Sequence, residues 1–346
     1  MMYVHYEQAV EAMTKGLSRF MRSENAKHFA EIFAGNSLDG IYSHGMNRYP
    51  RYISDMESGI CDPGVTEAEK VGGYGALEVY DAHFGVGPLI AEQMTARAIE
   101  LAKAHGIACV ALRNNSHWLR AGRYGLMMAD AGLMGICFTN TCMNLTAWGT
   151  LEPSTGNNPI TFAIPREKGS LVMDMAVSQY AYGKLEIMAQ EGKMLDTPCG
   201  YDMEGRPTCD PKAIIKSGKM SPMAMWKGSA LSIMLDLCAS MLSAGRTSRM
   251  IGLPADGEKG MSQVFIAIHP AAVVDMKAVQ AQMEETLEFL HSLPPMAGSR
   301  GVHAPGEGLD RTRAKNRENG IPVTEETWAR ILQAEKENVQ KTASKF

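Results

Sequence analysis

Between about residues 73 and 270, short apolar runs alternate with longer amphipathic stretches, and this alternation limits the fold more than any other feature of the chain. Leu77 to Tyr80, Ile107 to Leu112, Met134 to Phe138, Pro159 to Ile164, Ser170 to Met175 and Gln263 to Ile268 each have the length and texture of a strand. Pro88 to Ala104, Arg120 to Ala131, Tyr180 to Gln190 and Lys227 to Ser243 have helical length, with Gly106, Gly132, Gly192 and Gly245 standing at their ends. Strands interleaved with helices predict an α/β domain over 73–270. The chain ends read differently. Ala9, Val10, Met13, Leu17 and Phe20 keep helical spacing, and Ser23 is placed to cap a second helix that presents Ala26, Phe29, Ala30 and Phe33 on one face. Met276 to His291 and a stretch capped by Thr324 are helical in pattern, with a loop from Pro294 to Leu309. Residues 1–72 and 271–346 are therefore expected to form a smaller helical domain together, because chain termini often lie close in space. Gly192 to Lys219, rich in Gly, Pro, Asp and Lys, reads as a surface excursion.

Composition removes several function classes. The formal charge is −4, so no basic excess exists to neutralise a nucleic acid backbone. No run of eighteen apolar residues is present, and Met1 to Phe20 carries His5, Glu7, Glu11 and Lys15, unlike a signal or transit peptide. Seven cysteines, an odd count without Cys-x-x-Cys, fit a reducing compartment better than a disulfide scaffold, and the expected location is the cytoplasm. Cys199 and Cys209 lack a second ligand pair nearby, so no metal site is expected there.

The usual nucleotide and hydrolase signatures are also missing. No G-x-G-x-x-G follows a strand, and Gly73-Tyr74-Gly75 and Gly85-Val86-Gly87 both lack the third glycine. No phosphate-binding G-x-x-x-x-G-K-[ST], H-E-x-x-H or G-x-S-x-G occurs. What remains is a set of polar clusters. His44 lies in the loop Tyr42 to Pro50, four residues before Arg48. An imidazole can protonate a carbonyl oxygen, a guanidinium can hold a carboxylate by two parallel hydrogen bonds, and Ser43 can bond to either partner. A surface or capping pair explains the same residues. His117, in Arg113 to Trp118, follows a strand, where open sheets bind ligands, and Ser116 or Asn115 could equally be a helix cap. Trp148-Gly149-Thr150 and Gly156 to Pro159 frame a turn-rich loop. Asp174 interrupts an apolar strand and needs a partner: a ribose hydroxyl, a histidine, a salt bridge or the start of the next helix. Lys227 opens an apolar helix at the end where cations are disfavoured, which suggests contact with an anion or a simple solvated start.

Taken in order, Tyr42 to Gly45 with Asn47 and Arg48, Asn114 to Trp118, Trp148-Gly149 with Gly156 to Pro159, Asp174-Met175, Tyr182 to Glu186, Trp226 to Ser229 and Pro305 to Glu307 resemble the type-2 malate/L-lactate dehydrogenase family from about residue 5 to 335. Gly40 to Arg51 and Met225 to Ser229 look most like its branch of diketo sugar acid reductases. The resemblance implies an L-sulfolactate dehydrogenase-like mixed sheet flanked by helices, not a Rossmann fold. It implies a homodimer that uses NAD, with NADH preferred over NADPH, and a small carboxylic acid as substrate. His44 matches the proton donor, with His117 in the same pocket. Ser43 and Arg48 match substrate-binding positions. Ser170, Leu171, Val172, Met173, Asp174, Met175 and Ala176, then Trp226 with Lys227, then Gly306, Glu307 and Gly308, match three cofactor contacts. Asn157, Tyr182 and Gly308 depart from the family's common residues, which bears on cofactor preference and substrate choice. The implied reaction is hydride transfer to a 2-keto or 2,3-diketo sugar acid. Malate, lactate, ureidoglycolate or a cyclic imino acid would need the same groups. A catalytically silent dinucleotide sensor and a hydrolase using a metal on His44, His117 and Asp174 are the alternatives from other classes.

Overall fold

A computed structural model describes residues 1–343. Its centre is a seven-stranded sheet in the spatial order Glu69–Tyr74, Leu77–Asp81, Ile107–Asn115, Met261–Ile268, Met134–Thr139, Ile160–Ile164, Leu171–Met175. Only Leu77–Asp81 and Ile107–Asn115 run parallel, and every other neighbouring pair is antiparallel. A Rossmann sheet is mostly parallel and presents its glycine turn at a switch point. This mixed sheet has no such turn, which accounts for the missing fingerprint.

Side chains alternate between the two faces of the strands as the pleat requires. Val110, Leu112, Phe265 and Ala267 bury against helices Gly87–His105 and Ala121–Asp130. Ala111, Val264 and the half-buried Cys109 and Ile266 bury against helix Trp226–Ser243. Both faces are thus covered, and the strands read as near-continuous apolar runs rather than alternating ones.

The chain ends meet. Met2–Val4 pairs antiparallel with Ile321–Val323, and helices Tyr6–Leu17, Ser23–Leu38 and Glu325–Ala343 share a core with Tyr49–Glu57. Phe29, Phe33, Tyr49 and Tyr52 form its aromatic centre, with Phe29 and Tyr52 edge to face at 4.9 Å. Helix Met276–Ser292 lies elsewhere, where Gln280 donates to the Pro165 carbonyl and Arg166 pairs with Glu284 beside the last sheet strands.

Several local expectations shift. Ser23 opens its helix rather than capping it. Tyr42 to Pro50 is two short 3-10 turns running directly into helix Tyr49–Glu57, with Pro50 in its first turn, where the missing N–H costs nothing. The edge strand Glu69–Tyr74 and helix Leu309–Asn319 had no clear pattern, the first because it is solvated along its whole length and the second because it is almost entirely polar. Thr324 does cap the last helix, accepting from Thr327 N at 3.1 Å.

Candidate active site

A cavity of about 1470 Å³ opens between the helical ends and the sheet. Ser43, His44, Arg48, His117, Val172, Asp174, Met175, Ala176, Gly306 and Glu307 all line it, so segments far apart in sequence are brought to one place. Strand Leu171–Met175 alternates: Val172 and Asp174 face the cavity, whereas Met173 packs toward the opposite face of the sheet. Ser170, Leu171, Met173, Trp226, Lys227 and Gly308 are not among the lining residues. Trp226 is 61% exposed at the start of its helix, although Met223, three residues earlier, reaches the cavity wall.

The two histidines stack, with ring centroids 5.7 Å apart and planes 21° from parallel. Their supports differ. The turn carrying His44 is fixed by Asn36, whose amide donates to the His44 carbonyl at 2.9 Å, and by Ser37 Oγ, which accepts from Met46 N at 2.8 Å. Ser43 Oγ lies 3.0 Å from His44 Nδ1, and a hydroxyl can accept or donate there. His117 Nδ1 instead accepts from Leu119 N at 3.0 Å. A ring nitrogen that accepts carries no proton, so His117 is the neutral tautomer with Nε2–H as its donor.

The segment before His117 is anchored from the helical core. Ser116 does not cap a helix, because the next one begins at Ala121. Its hydroxyl donates to the Gly85 carbonyl at 2.7 Å and accepts from Gly87 N at 2.8 Å, while Tyr52 Oη donates to the His117 carbonyl at 3.1 Å. Asp174 also has a structural task. Its carboxylate accepts from Gly122 N at 2.7 Å, at the start of helix Ala121–Asp130, and from Thr161 Oγ1 at 3.0 Å. An anion at a helix N-terminus is favoured by the helix dipole. The side chain stays exposed to the cavity, so the partner it needs is the preceding helix rather than the following one.

Charge gathers at one end. Arg48 Nη2 lies 2.5 Å from Glu258 Oε2, and Arg51 Nη2 lies 3.7 Å from the same oxygen. Arg48 Nε is buried without a hydrogen-bond partner, as is Arg120 Nε. A buried, unsatisfied N–H is costly, so both mark places where a polar ligand atom would relieve that cost. Arg120 is otherwise tied to Asp39 at 2.6 Å, which Arg313 also grips. Burial, reinforced by the Arg48 charge, pushes His44 down to about 4 despite the opposing Asp174 and Glu258. Burial and then Arg48 hold His117 well below its ordinary value. Burial alone would raise Glu258, but the charges of Arg48 and Arg51 and the hydrogen bond from Arg48 outweigh it and bring the carboxyl to about 2. Burial raises Glu186 and Asp55 against the pull of both arginines.

Glu258, Arg120 and Tyr52 did not stand out in the sequence. Glu258 sits in Gly257-Glu258-Lys259-Gly260, which reads as a solvated turn, and only the fold aims it inward. Among the described residues, no three His, Cys, Asp or Glu side chains are placed to hold a metal ion, and no helix is long and apolar enough to cross a membrane.

The malate/L-lactate dehydrogenase family model matches residues 4–332. The chain belongs to this family. A 2,3-diketo-L-gulonate reductase from Mannheimia succiniciproducens is 38% identical to it, covering 95% of the chain and 99% of the relative. A protein of the same name from Escherichia coli K12 is 39% identical over the same shares. The solved sulfolactate dehydrogenase of Methanocaldococcus jannaschii superimposes with a TM-score of 0.88 at 26% identity, covering 97% of each chain. The fold is therefore the mixed-sheet α/β type of this family, and the chain is an oxidoreductase whose family implies a nicotinamide cofactor. The cavity fits that group. Its volume exceeds the ~300–1,000 Å³ typical of a pocket for one small ligand, leaving room for a dinucleotide and an acid together. Gly306 has φ +89, and a Cβ there would fall 3.0 Å from Val172 N. The loop after Pro305 therefore lies directly against the strand backbone that faces the cavity.

Proposed function

We propose that this protein is an NADH-dependent reductase of 2-keto or 2,3-diketo sugar acids, with 2,3-diketo-L-gulonate, reduced to 3-keto-L-gulonate, as its substrate. One observation carries the reading: two stacked histidines face the same cavity as an arginine whose Nε is buried and unpartnered. Arg48 receives the substrate carboxylate on the N–H groups that Glu258 leaves free, because a guanidinium carries five donors in one plane. Ser43 and Asn47 border the same end. Bound nicotinamide supplies the hydride. His44 delivers the proton to the carbonyl oxygen, since Ser43 Oγ can accept from Nδ1–H and so tolerates the charged ring. His117, held as the neutral tautomer, donates from Nε2 to the same oxygen and polarises the carbonyl. The docked carboxylate offsets the Arg48 charge, the largest cause after burial that keeps His44 unprotonated, and so raises the proton affinity of the donor.

Val172, Asp174, Met175 and Ala176 with Gly306 and Glu307 form the cofactor wall; Ser170, Leu171, Met173 and Gly308 belong to the same two segments. Trp226 and Lys227 are exposed, and in this reading they meet the cofactor in a homodimer, where a second copy covers their face. The protein acts on a small molecule in the cytoplasm. The test is NADH oxidation, followed by absorbance, against 2,3-diketo-L-gulonate, pyruvate, oxaloacetate and piperideine-2-carboxylate, with NADPH in parallel. Selective turnover of the diketo acid with NADH is expected. Turnover of another acid removes the substrate assignment and keeps the mechanism. Tight NADH binding without turnover of any acid removes the enzyme reading in favour of a sensor.

A further inference from the structure

The anion-binding end of the cavity contains its own anion. Glu258 reaches in from the Gly252 to Gly260 turn, with its side chain 12% exposed, and meets Arg48 at 2.5 Å and Arg51 at 3.7 Å. Cys142 Sγ lies 3.7 Å from its other oxygen. Glu258 offsets one of the two guanidinium charges it meets, which leaves the other for a substrate with one carboxylate. Resting on the reductase reading, we propose that Glu258 is a positioning residue: an internal counter-carboxylate that lowers the site's grip on the substrate anion and in exchange keeps the histidines able to take up a proton.

The exchange follows from the arrangement. Glu258 engages Arg48 through Nη2 and leaves Nε without a partner in the protein, so the guanidinium keeps donors for the ligand. The same guanidinium opposes protonation of both rings, and Glu258 opposes the guanidinium. The other charged groups around the rings are Asp174 and Arg120 near His44, and His44 and Arg51 near His117. Asp55 and Glu186 face the arginines, and burial raises both, so Glu258, held near 2, is the most firmly ionised carboxylate at this end.

Neutralising Glu258 should thus move binding and turnover in opposite directions. The Glu258→Gln variant keeps the volume and an oxygen for Arg48 to donate to, but not the charge. With NADH bound, oxamate, a small monocarboxylate shaped like a 2-keto acid, should bind Glu258→Gln about three- to tenfold more tightly than the wild type. The kcat for the keto acid should fall about tenfold at neutral pH, and the high-pH limb of kcat/KM should move to lower pH. Glu258→Asp, which keeps the charge, should restore both toward wild type, and the Kd for NADH should stay within about twofold throughout. Weaker oxamate binding with an unmoved pH limb would mean that Glu258 only supports the turn, and would overturn the proposal; so would unchanged values of both. The oxamate measurement requires no turnover. A protein that reduces none of the acids yet binds oxamate more tightly as Glu258→Gln retains this charge assignment and loses the reductase reading.

Discussion

His44 and His117 look alike in sequence and differ in what their Nδ1 atoms meet: a hydroxyl that can switch roles for His44, a backbone N–H that cannot for His117. In the proposed mechanism that difference assigns the proton to His44. Removing it as His44→Ala should lower kcat/KM by about 10²–10⁴ while NADH still binds, measured by fluorescence titration beside the rate assay. The pH dependence follows from the same ring. Reduction needs the protonated form, so kcat/KM, which reports the free enzyme, should decline as pH rises through a value near 4. The kcat limb should lie higher, because bound carboxylate offsets Arg48; coincident limbs would refute that coupling. Stability carries the opposite sign. An unfolded histidine titrates near ~6.5, so between that pH and about 4 the unfolded chain binds protons that folded His44 refuses. Stability should be full above that window and fall on acidification through it. The urea midpoint should therefore drop from neutral to mildly acidic pH, and drop less in His117→Gln, which removes the other depressed ring.

Each histidine is held by an element that does no chemistry. The turn at His117 is fixed by Tyr52 from helix Tyr49–Glu57 and by Gly87 at the start of helix Gly87–His105, where a Cβ would meet the Ser116 carbonyl at 2.6 Å and the His117 carbonyl at 2.7 Å. Both contacts are backbone, which cannot swing aside. Gly87→Ala should therefore displace the His117 segment, cutting kcat about 10²-fold and lowering Tm by several degrees. An unchanged rate would show that the His117 position is not critical. Such supports explain what was legible in the sequence. The strands between Leu77 and Ile268 and the long helices were readable because apolar periodicity is a local signal. Glu69–Tyr74 was not, because an edge strand solvated on both sides carries no period. Within the site, His44, Arg48 and His117 were visible as unusual residue types in loops. Glu258 was invisible, since an acid between glycines has the texture of solvent-facing chain until the fold turns it toward two arginines.

The single chain exposes one apolar surface along a helix. Helix Trp226–Ser243 covers the sheet with one side, while Ile233, Met234, Leu237 and Met241 on its other side are 41%, 57%, 50% and 75% exposed. Their spacing of one, three and four residues forms a stripe along the helix, and Trp226 stands exposed at its first residue. Contiguous exposed apolar stripes commonly mark interaction sites. The homodimer expected of the family would place a second copy there, and would explain why Trp226 and Lys227 carry cofactor-contact residue types yet lie outside the cavity of the single chain. The two ideas are tested together. The wild type should sediment at twice the 37.7 kDa chain mass. Leu237→Asp, which places a charge in the middle of the stripe without touching the cavity lining, should sediment as a monomer with an unchanged far-UV spectrum. If Trp226 and Lys227 act across the interface, that monomer should bind NADH at least about tenfold more weakly, although every cavity residue is intact. A monomeric variant with wild-type NADH affinity would confine the cofactor to one chain. A wild type that sediments as a monomer would leave the stripe for a different partner.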